Sequence, residues 1–451
     1  MTQNISLAPA DTALLSDLLD RAKKAGADAA DALLVRSTSL SAAVRLGELE
    51  LVERSESADI GLRFIKGGRQ ACISTSDLRS EALAALVSRV TEMAEATPPD
   101  PLIGLATPEQ LTQSWTIPDL YDTQDITAEQ LIAMAGEVEA AALAVEGVTN
   151  TEGGGAGWDS SHVILMASNG FTGGYSLSST GYGVTALAGS GTHMEQDSCS
   201  ENRRFIGDLP DVKATGRKAG ERAVAKLNPR KGPTGSVPVI FAPEQASYLL
   251  MDFAAAINGS SIARGTSFLK EQMGKPVFGP HVNIIDDPTL LRGLRSKPFD
   301  AEGLANARRQ VIENGILTTW LLDLRSARQL GLKSTGHASR GVGGPPSPSA
   351  SNMWMEPGVA TPEELMADIS SGFYVTDILG HGLNLVTGDY SRGAMGFWIE
   401  NGKIAYPVSE MTVAGNLKDM FLCMQPANDL VRRYGIDAPT LRIEGMMVAG
   451  V

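Results

Sequence analysis

The stretch from Ala29 to Thr75, AADALLVRSTSLSAAVRLGELELVERSESADIGLRFIKGGRQACIST, decides the fold class. Ala32–Arg36, Ala42–Arg45, Leu49–Val52, Ile60–Ile65 and Gln70–Thr75 are short β-type runs. Lys66-Gly67-Gly68 is the turn of a hairpin between the last two. A helix is predicted on either side. Thr12–Ala25 carries Leu14, Leu15, Leu18 and Leu19 as one stripe, with Asp11 as its cap and Gly26 as its stop. Ser76 or Asp77 caps a second helix to about Ala96, whose buried side is Leu83, Leu86, Val87 and Val90. Pro98, Pro99 and Pro101 end it and open a linker. Residues 1–100 are therefore an N-terminal α+β unit of helix, antiparallel sheet and helix.

Two further units follow. In 120–228, Thr127 with Gln130 forms a capping box that opens a helix to about Val145. A Gly-rich β-region spans 149–206, with a hairpin at Asn169-Gly170. Pro210 starts a helix to Leu227. The third unit, 235–451, opens with the strand Val237–Phe241. A helix then runs from Pro243 to about Ala256, stopped by Asn258-Gly259. Asn314-Gly315 and Asn401-Gly402 each sit between apolar runs, the strongest short hairpin signal. Residues 340–351, rich in Gly, Pro and Ser, read as a mobile loop. Helices and hairpins are segregated, so the fold class is α+β, with N-terminal helix–antiparallel sheet units and a large β-rich C-terminal domain.

Composition narrows function by exclusion. A formal net charge of −14 and the lack of a Lys/Arg cluster argue against direct nucleic-acid binding and against an anionic membrane surface. No apolar run reaches the roughly 20 residues of a membrane span. Met1 to Ala10 has neither the basic start nor the apolar core of a signal peptide. Cys72, Cys199 and Cys423 are few and far apart, which fits a reducing cytosol, so a cytoplasmic location is expected.

Chemistry-bearing motifs are sparse. His162, His193, His281, His337 and His381 are too far apart for a helical zinc site, which needs two histidines about one turn apart and a Glu. His193, Glu195, Asp197 and Cys199 alternate, and on a strand they would share either a metal-binding face or a solvated polar face. Gly153-Gly154-Gly155-Ala156-Gly157 is a phosphate loop or a cluster of β-bulges, and no Lys-Ser/Thr follows it. Gly388–Gly393 is polar: Asp389, Ser391 and Arg392, with His381 nearby, form a site or a capped turn whose Arg meets a carboxylate. His337 borders the 340–351 loop and is a substrate contact or a hydrogen-bonded loop residue.

Several segments together resemble one family. They are Pro298–Gly303, Trp320–Asp323 with Ser326–Arg328, Leu330–His337, Thr387–Gly393 and Tyr406–Glu410 running on to Ala414–Leu417. The chain resembles the TldD/PmbA family, called modulator of DNA gyrase, and within it the PmbA (TldE) branch. The resemblance implies a cytosolic two-subunit zinc peptidase. Its TldD branch carries H-E-x-x-x-H on a helix and a later cysteine as metal ligands. Placed on the shared Arg264-Gly265-Thr266-Ser267, those positions are Leu250, Met251 and Ala255 here. The later ligand falls near Gln425-Pro426-Ala427, with Cys423 two residues earlier.

The resemblance thus implies a subunit with no metal of its own. A TldD-type partner would carry the zinc in a heterodimer acting on small or unfolded peptides. Ser334–His337, His381 and Asp389–Arg392 are the candidate substrate contacts. A homodimeric peptide-binding or scaffold protein is the alternative, and an independent hydrolase using His381, Asp389 and Ser391 is a third reading.

Overall fold

The structure, a computed structural model, describes residues 7–450. Met1–Ser6, part of the stretch tested above for a signal peptide, lie outside the described residues, as does Val451.

The first half follows the order α1 (Pro9–Lys24), β1 (Ala29–Arg45), β2 (Glu48–Lys66), β3 (Arg69–Thr75), α2 (Ser80–Ala96), α3 (Ala128–Leu143), β4 (Val148–Ala167), β5 (Thr172–Ala188), β6 (Glu195–Arg203) and α4 (Val212–Ala225). The five short runs expected in 29–75 are three strands, two of them long. β1 continues through Ser37-Thr38-Ser39 because it is paired on both edges, to β2 and β4. Main-chain bonds on two sides hold polar residues in a strand that apolar alternation alone would not signal, and the Ser37 and Ser161 hydroxyls meet across it at 2.9 Å. The β1–β2 turn, Leu46-Gly47, has φ of 50° and 79°. A leucine rarely takes positive φ, so no turn is legible there. The buried Glu139 carboxylate fixes it, accepting Leu46 N at 2.7 Å and Gly47 N at 3.1 Å.

These strands form one antiparallel sheet, ordered β3-β2-β1-β4-β5-β6. Both N-terminal units therefore contribute to a single sheet. Its even-numbered β1 positions carry two helix pairs in succession. Ala30, Ala32 and Leu34 pack under α1 and α2, and Leu40, Ala42 and Val44 under α3 and α4. Asp11 does not cap α1, because it lies inside the helix and pairs with Arg36 at 2.7 Å. Beyond β3, the outer edge of β2 is unpaired from Glu48 to Asp59 among the described residues. Glu48, Glu50, Glu53, Arg54 and Glu56 stud this edge, the usual protection against edge-to-edge aggregation.

The C-terminal half contains β7 (Gly235–Phe241), α5 (Pro243–Ala256), α6 (Gly259–Ala263), β8 (Ile284–Asp286), β9 (Arg309–Glu313), β10 (Ile316–Leu317), α7 (Leu324–Leu330), β11 (Ala338–Ser339), β12 (Ser347–Pro348) and β13 (Met353–Met355). After these come α8 (Pro362–Met366), β14 (Ser371–Leu379), β15 (Asp389–Glu400), β16 (Lys403–Asn416), α9 (Leu417–Cys423), β17 (Gln425–Pro426), β18 (Ile436–Asp437) and β19 (Leu441–Gly450). Asn258 starts α6, accepting from Ser260 N, and does not merely stop α5. The run β16-β15-β14-β7-β19 closes on itself through β16–β19 pairing, giving a barrel. Phe241, Phe373, Trp398, Val413 and Ile443 are buried in its core. Both Asn-Gly hairpins form, with positive φ at Asn314, Gly315, Asn401 and Gly402. The α+β class with a β-rich C-terminal domain holds.

The 340–351 segment is tied down, against expectation. Ala338 pairs with Pro348 and Ser339 with Ser347. The carbonyl of Val342 lies so close over β2 that a Cβ on Gly61 would stand 1.8 Å from it. Composition marked a loop, while the contacts that order it are a short local strand pairing and a seat over β2, nearly 300 positions away.

Candidate functional site

Helix α5 occupies the place where the family resemblance puts metal ligands. Pro243 at its first turn presets φ for a helix start. Its apolar face, Leu249, Leu250 and Phe253, packs against Phe278, Phe421, Met355 and Met424. Phe278 and Phe421 stack at 4.6 Å, and Phe253 meets both edge-on at 5.1 and 5.9 Å. Each such ring pair adds roughly 0.5–1.5 kcal/mol beyond burial. Leu250 is buried in this cluster, Met251 is exposed and Ala255 is half-buried.

These side chains offer zinc no strong donor, since alkyl groups have no lone pair and a thioether is a poor zinc ligand. The nearby polar groups are engaged elsewhere. Cys423 Sγ donates to Met420 O at 3.5 Å, and His281 Nε2 is 3.0 Å from Met424 O. The residues present do not fit a metal centre on α5. Among the described residues no group of three or more His, Cys, Asp or Glu could hold a metal.

Of the sequence candidates, Arg392 comes to α5. Its Nη2 donates to both oxygens of Asp252 at 2.9 Å, tying β15 to the helix. Burial pushes the Asp252 carboxyl above the ordinary carboxylate range, with Arg392 opposing. Beside it the Tyr390 hydroxyl is buried without a hydrogen-bond partner among the described residues. Asp389 is exposed and accepts from Thr387 Oγ1 at 2.6 Å and Asn416 Nδ2 at 3.0 Å. His381 and Ser391 are exposed, and Ser391 N donates to Gly382 O at 2.7 Å. These four residues thus share one turn and strand, yet His381, Asp389 and Ser391 make no side-chain hydrogen bond to one another among the described residues. A nucleophile, base and orienting acid need that chain of contacts.

His337 stands apart, 2% exposed. Its Nδ1 is 2.8 Å from Thr335 Oγ1, and its Nε2 is 3.1 Å from Asp286 Oδ1. Asp286 is fully buried and also accepts from Ser351 N and Ser351 Oγ. Thr335, His337 and Asp286 have the order of a relay, but all three residues are buried. The cluster instead joins β8, the 334–337 turn and the segment before β13. Asp286 had no signal in the sequence, lying 51 residues from His337.

A second charged cluster joins the N-terminal sheet to the C-terminal domain. Asp31 on β1 accepts Arg63 Nε at 2.6 Å and is also paired with Arg340. Burial pushes the Asp31 carboxyl up, but Arg63 and Arg340 outweigh it and hold it below its ordinary value. Close by, Asp300 accepts Glu302 N and Leu304 N, each at 2.9 Å, and Glu302 accepts Leu324 N at 2.8 Å. Burial, reinforced by the Asp300 charge, pushes Glu302 up to about 8. Asp300 and Glu302 belong to the Pro298–Gly303 segment that the sequence marked without giving it a role.

The remaining motifs resolve structurally. His193 lies in a short turn before β6, and Asp197 pairs with Lys226 at 2.7 Å. Lys226 also meets Asp377 at 2.8 Å, while Cys199 is buried under α4. That alternating face is neither a metal face nor a solvated one. Gly153–Gly157 are part of β4, with a register shift between Thr151 and Gly154, so the bulge reading holds.

Residues 30–94, 121–227 and 234–450 match, in order, PmbA/TldA metallopeptidase domain 1, the central domain and the C-terminal domain. The chain belongs to the PmbA/TldD metallopeptidase family. It is 36% identical over 426 residues to Metalloprotease PmbA of Escherichia coli O157:H7, covering 94% of this chain and 92% of that protein. It is 35% identical to the Metalloprotease PmbA homolog of Haemophilus influenzae, covering 97% and 95%. Among solved structures, a protein of Bacteroides thetaiotaomicron described as a modulator of DNA gyrase superposes with TM-score 0.90 at 28% identity, covering 98% of this chain and 100% of that one. TldE of Thermococcus kodakarensis shares the fold, with TM-score 0.83 at 19% identity over 97% of this chain. A peptidase-type function follows for the PmbA/TldD family fold. Among the described residues, no helix is long and apolar enough to cross a membrane.

Proposed function

We propose that this chain is the PmbA/TldE-type subunit of a cytoplasmic peptidase, non-catalytic by itself. A TldD-type partner supplies the zinc, and the pair degrades small or unfolded peptides. The observation that carries this reading is α5: Leu250 and Ala255 stand where the family's histidine ligands would be and Met251 where its general-base Glu would be, and Leu250 is committed to an aromatic core. A helix packed with hydrocarbon keeps the fold of the domain while giving up the metal. The role left to the chain is to complete the chamber and hold peptide, with His381, Asp389, Ser391 and Arg392 as the proposed contacts, while His337, buried against Asp286, holds its turn in place. Of these, the exposed His381, Asp389 and Ser391 are the reachable ones.

The test is cleavage of an unfolded peptide by this chain alone, by a TldD-type chain alone and by the mixture. The expected result is little activity in this chain and a clear gain on mixing. Equal cleavage with and without this chain would sink the reading. Stable self-association without heteromeric co-purification would favour a homodimeric scaffold instead.

A further inference from the structure

Five arginines converge on a cleft of about 270 Å³ between the end of β6 and the C-terminal domain. They are Arg203, Arg204, Arg292, Arg432 and Arg433, on a chain whose formal net charge is −14. Three have carboxylates in reach. Arg203 pairs with Glu201 at 2.9 Å, Arg292 with Asp119 and Asp208 at 2.8 and 2.9 Å, and Arg433 reaches Glu201 and Glu244 only at 3.7 and 3.9 Å.

The other two have no carboxylate partner among the described residues. Arg204 is buried, and its guanidinium donates only to carbonyls, among them Ser178 O at 3.0 Å and Leu294 O. Arg432 is exposed, lies over the Trp354 ring at 5.0 Å and has no carboxylate partner among the described residues. The cleft carboxylate Asp437 is already used, accepting the main-chain N–H groups of Arg433, Tyr434 and Gly435 at 2.9–3.1 Å. Burying a cation without a counter-ion costs free energy that a bound anion returns. Planar guanidinium forks match the two oxygens of a carboxylate. The same cleft has an apolar wall of Leu290, Leu291 and Trp354, and Leu291 is 73% exposed. A bare inorganic ion has no use for such a wall, whereas an oxyanion carried on a hydrocarbon body does.

We propose that this cleft binds the C-terminal carboxylate of a peptide, with its last apolar side chain against the Leu291 side. The choice of a peptide rests on the function proposed above. Phosphate shares the oxyanion chemistry, so the experiment separates the two. Binding is measured by calorimetry on this chain alone, without partner or cleavage. The probes are acetyl-Gly-Ala-Ala-Leu with a free carboxylate, the same peptide amidated, and inorganic phosphate. The result expected is that the acid binds, the amide binds at least tenfold more weakly, and phosphate is weaker than the acid. Arg432→Glu, an exposed change whose unchanged melting temperature confirms folding, weakens the acid at least tenfold. No binding of the acid, equal binding of acid and amide, an unaffected Arg432→Glu variant, or tighter binding of phosphate would each overturn the proposal. Because no partner is present, failure of the mixing assay leaves this outcome untouched, and failure here leaves the mixing assay untouched.

Discussion

Two regions of the molecule invert what their positions suggest. On α5, where the family resemblance places histidine metal ligands and a general-base Glu, the chain has Leu250 and a stack of phenylalanines. At the seam between the N-terminal sheet and the C-terminal domain, where hydrocarbon would be the simplest filling, it buries Asp31, Arg63, Arg340, Asp300 and Glu302. The first region keeps a domain folded without chemistry. The second links the two halves through charges that are buried together, so removing any one partner leaves an uncompensated buried charge.

That contrast is open to attack by substitution. The largest effect belongs to the seam. Asp31→Ala leaves Arg63 and Arg340 buried with no counter-ion, and a loss of about 5 kcal/mol is expected from breaking a buried network by removing one partner. Urea unfolding measures it, and a loss below about 1 kcal/mol would show that the seam charges are not what fixes it. Next comes α5. Phe253→Ala removes the ring that contacts both Phe278 and Phe421, and about 4 kcal/mol is expected from the lost burial and the cavity left behind.

A smaller effect is pH-dependent. Glu302 is raised to about 8 in the folded chain. Between the ordinary carboxylate range and that value, the folded state holds a proton that the unfolded chain has released. Folding then takes up the proton, so stability falls as pH rises through this window, by at most about 1.4 kcal/mol per pH unit. Melting temperatures between pH 5.5 and 8.5 should drop for the native chain and change less for Glu302→Gln. Parallel curves would remove Glu302 from the account. The smallest effect is at Met251, 47% exposed on α5. Met251→Glu should change stability by no more than about 0.5 kcal/mol, as exposed substitutions generally do. Zinc content of that variant, measured by mass spectrometry, should stay sub-stoichiometric, because one carboxylate beside Leu250 and Ala255 does not make a ligand set.

Legibility in the sequence followed locality. The Thr127–Gln130 capping box, the Asn314-Gly315 and Asn401-Gly402 hairpins and the buried stripe Leu83–Val90 all formed as read, because each rests on neighbours within a turn or two. The Leu46-Gly47 turn did not show, since its conformation is set by Glu139, some 92 positions away. The linker after α2 looked free from its prolines, yet Arg328 on α7 donates to the carbonyls of Leu102, Gly104 and Leu105 and holds it in place. The site was legible by half. The apolar helix at Leu250, the polar run around Asp389 and the Ser334–His337 turn were visible, but the partners Asp252 and Asp286 were not.

Composition and pattern alone determined the α+β class, the weakness of any case for nucleic acid, and the apolar character of the helix at Leu250. Those properties depend on side-chain type and short-range periodicity, which the chain carries with it. Only the tertiary structure decided that both N-terminal units share one sheet and that 340–351 is bound down. It also decided that His337 is sealed against Asp286 and that five arginines from separate segments face one cleft. Each of those outcomes is a pairing between residues far apart in sequence, and a one-dimensional pattern holds no record of which distant charge or strand edge will be its partner.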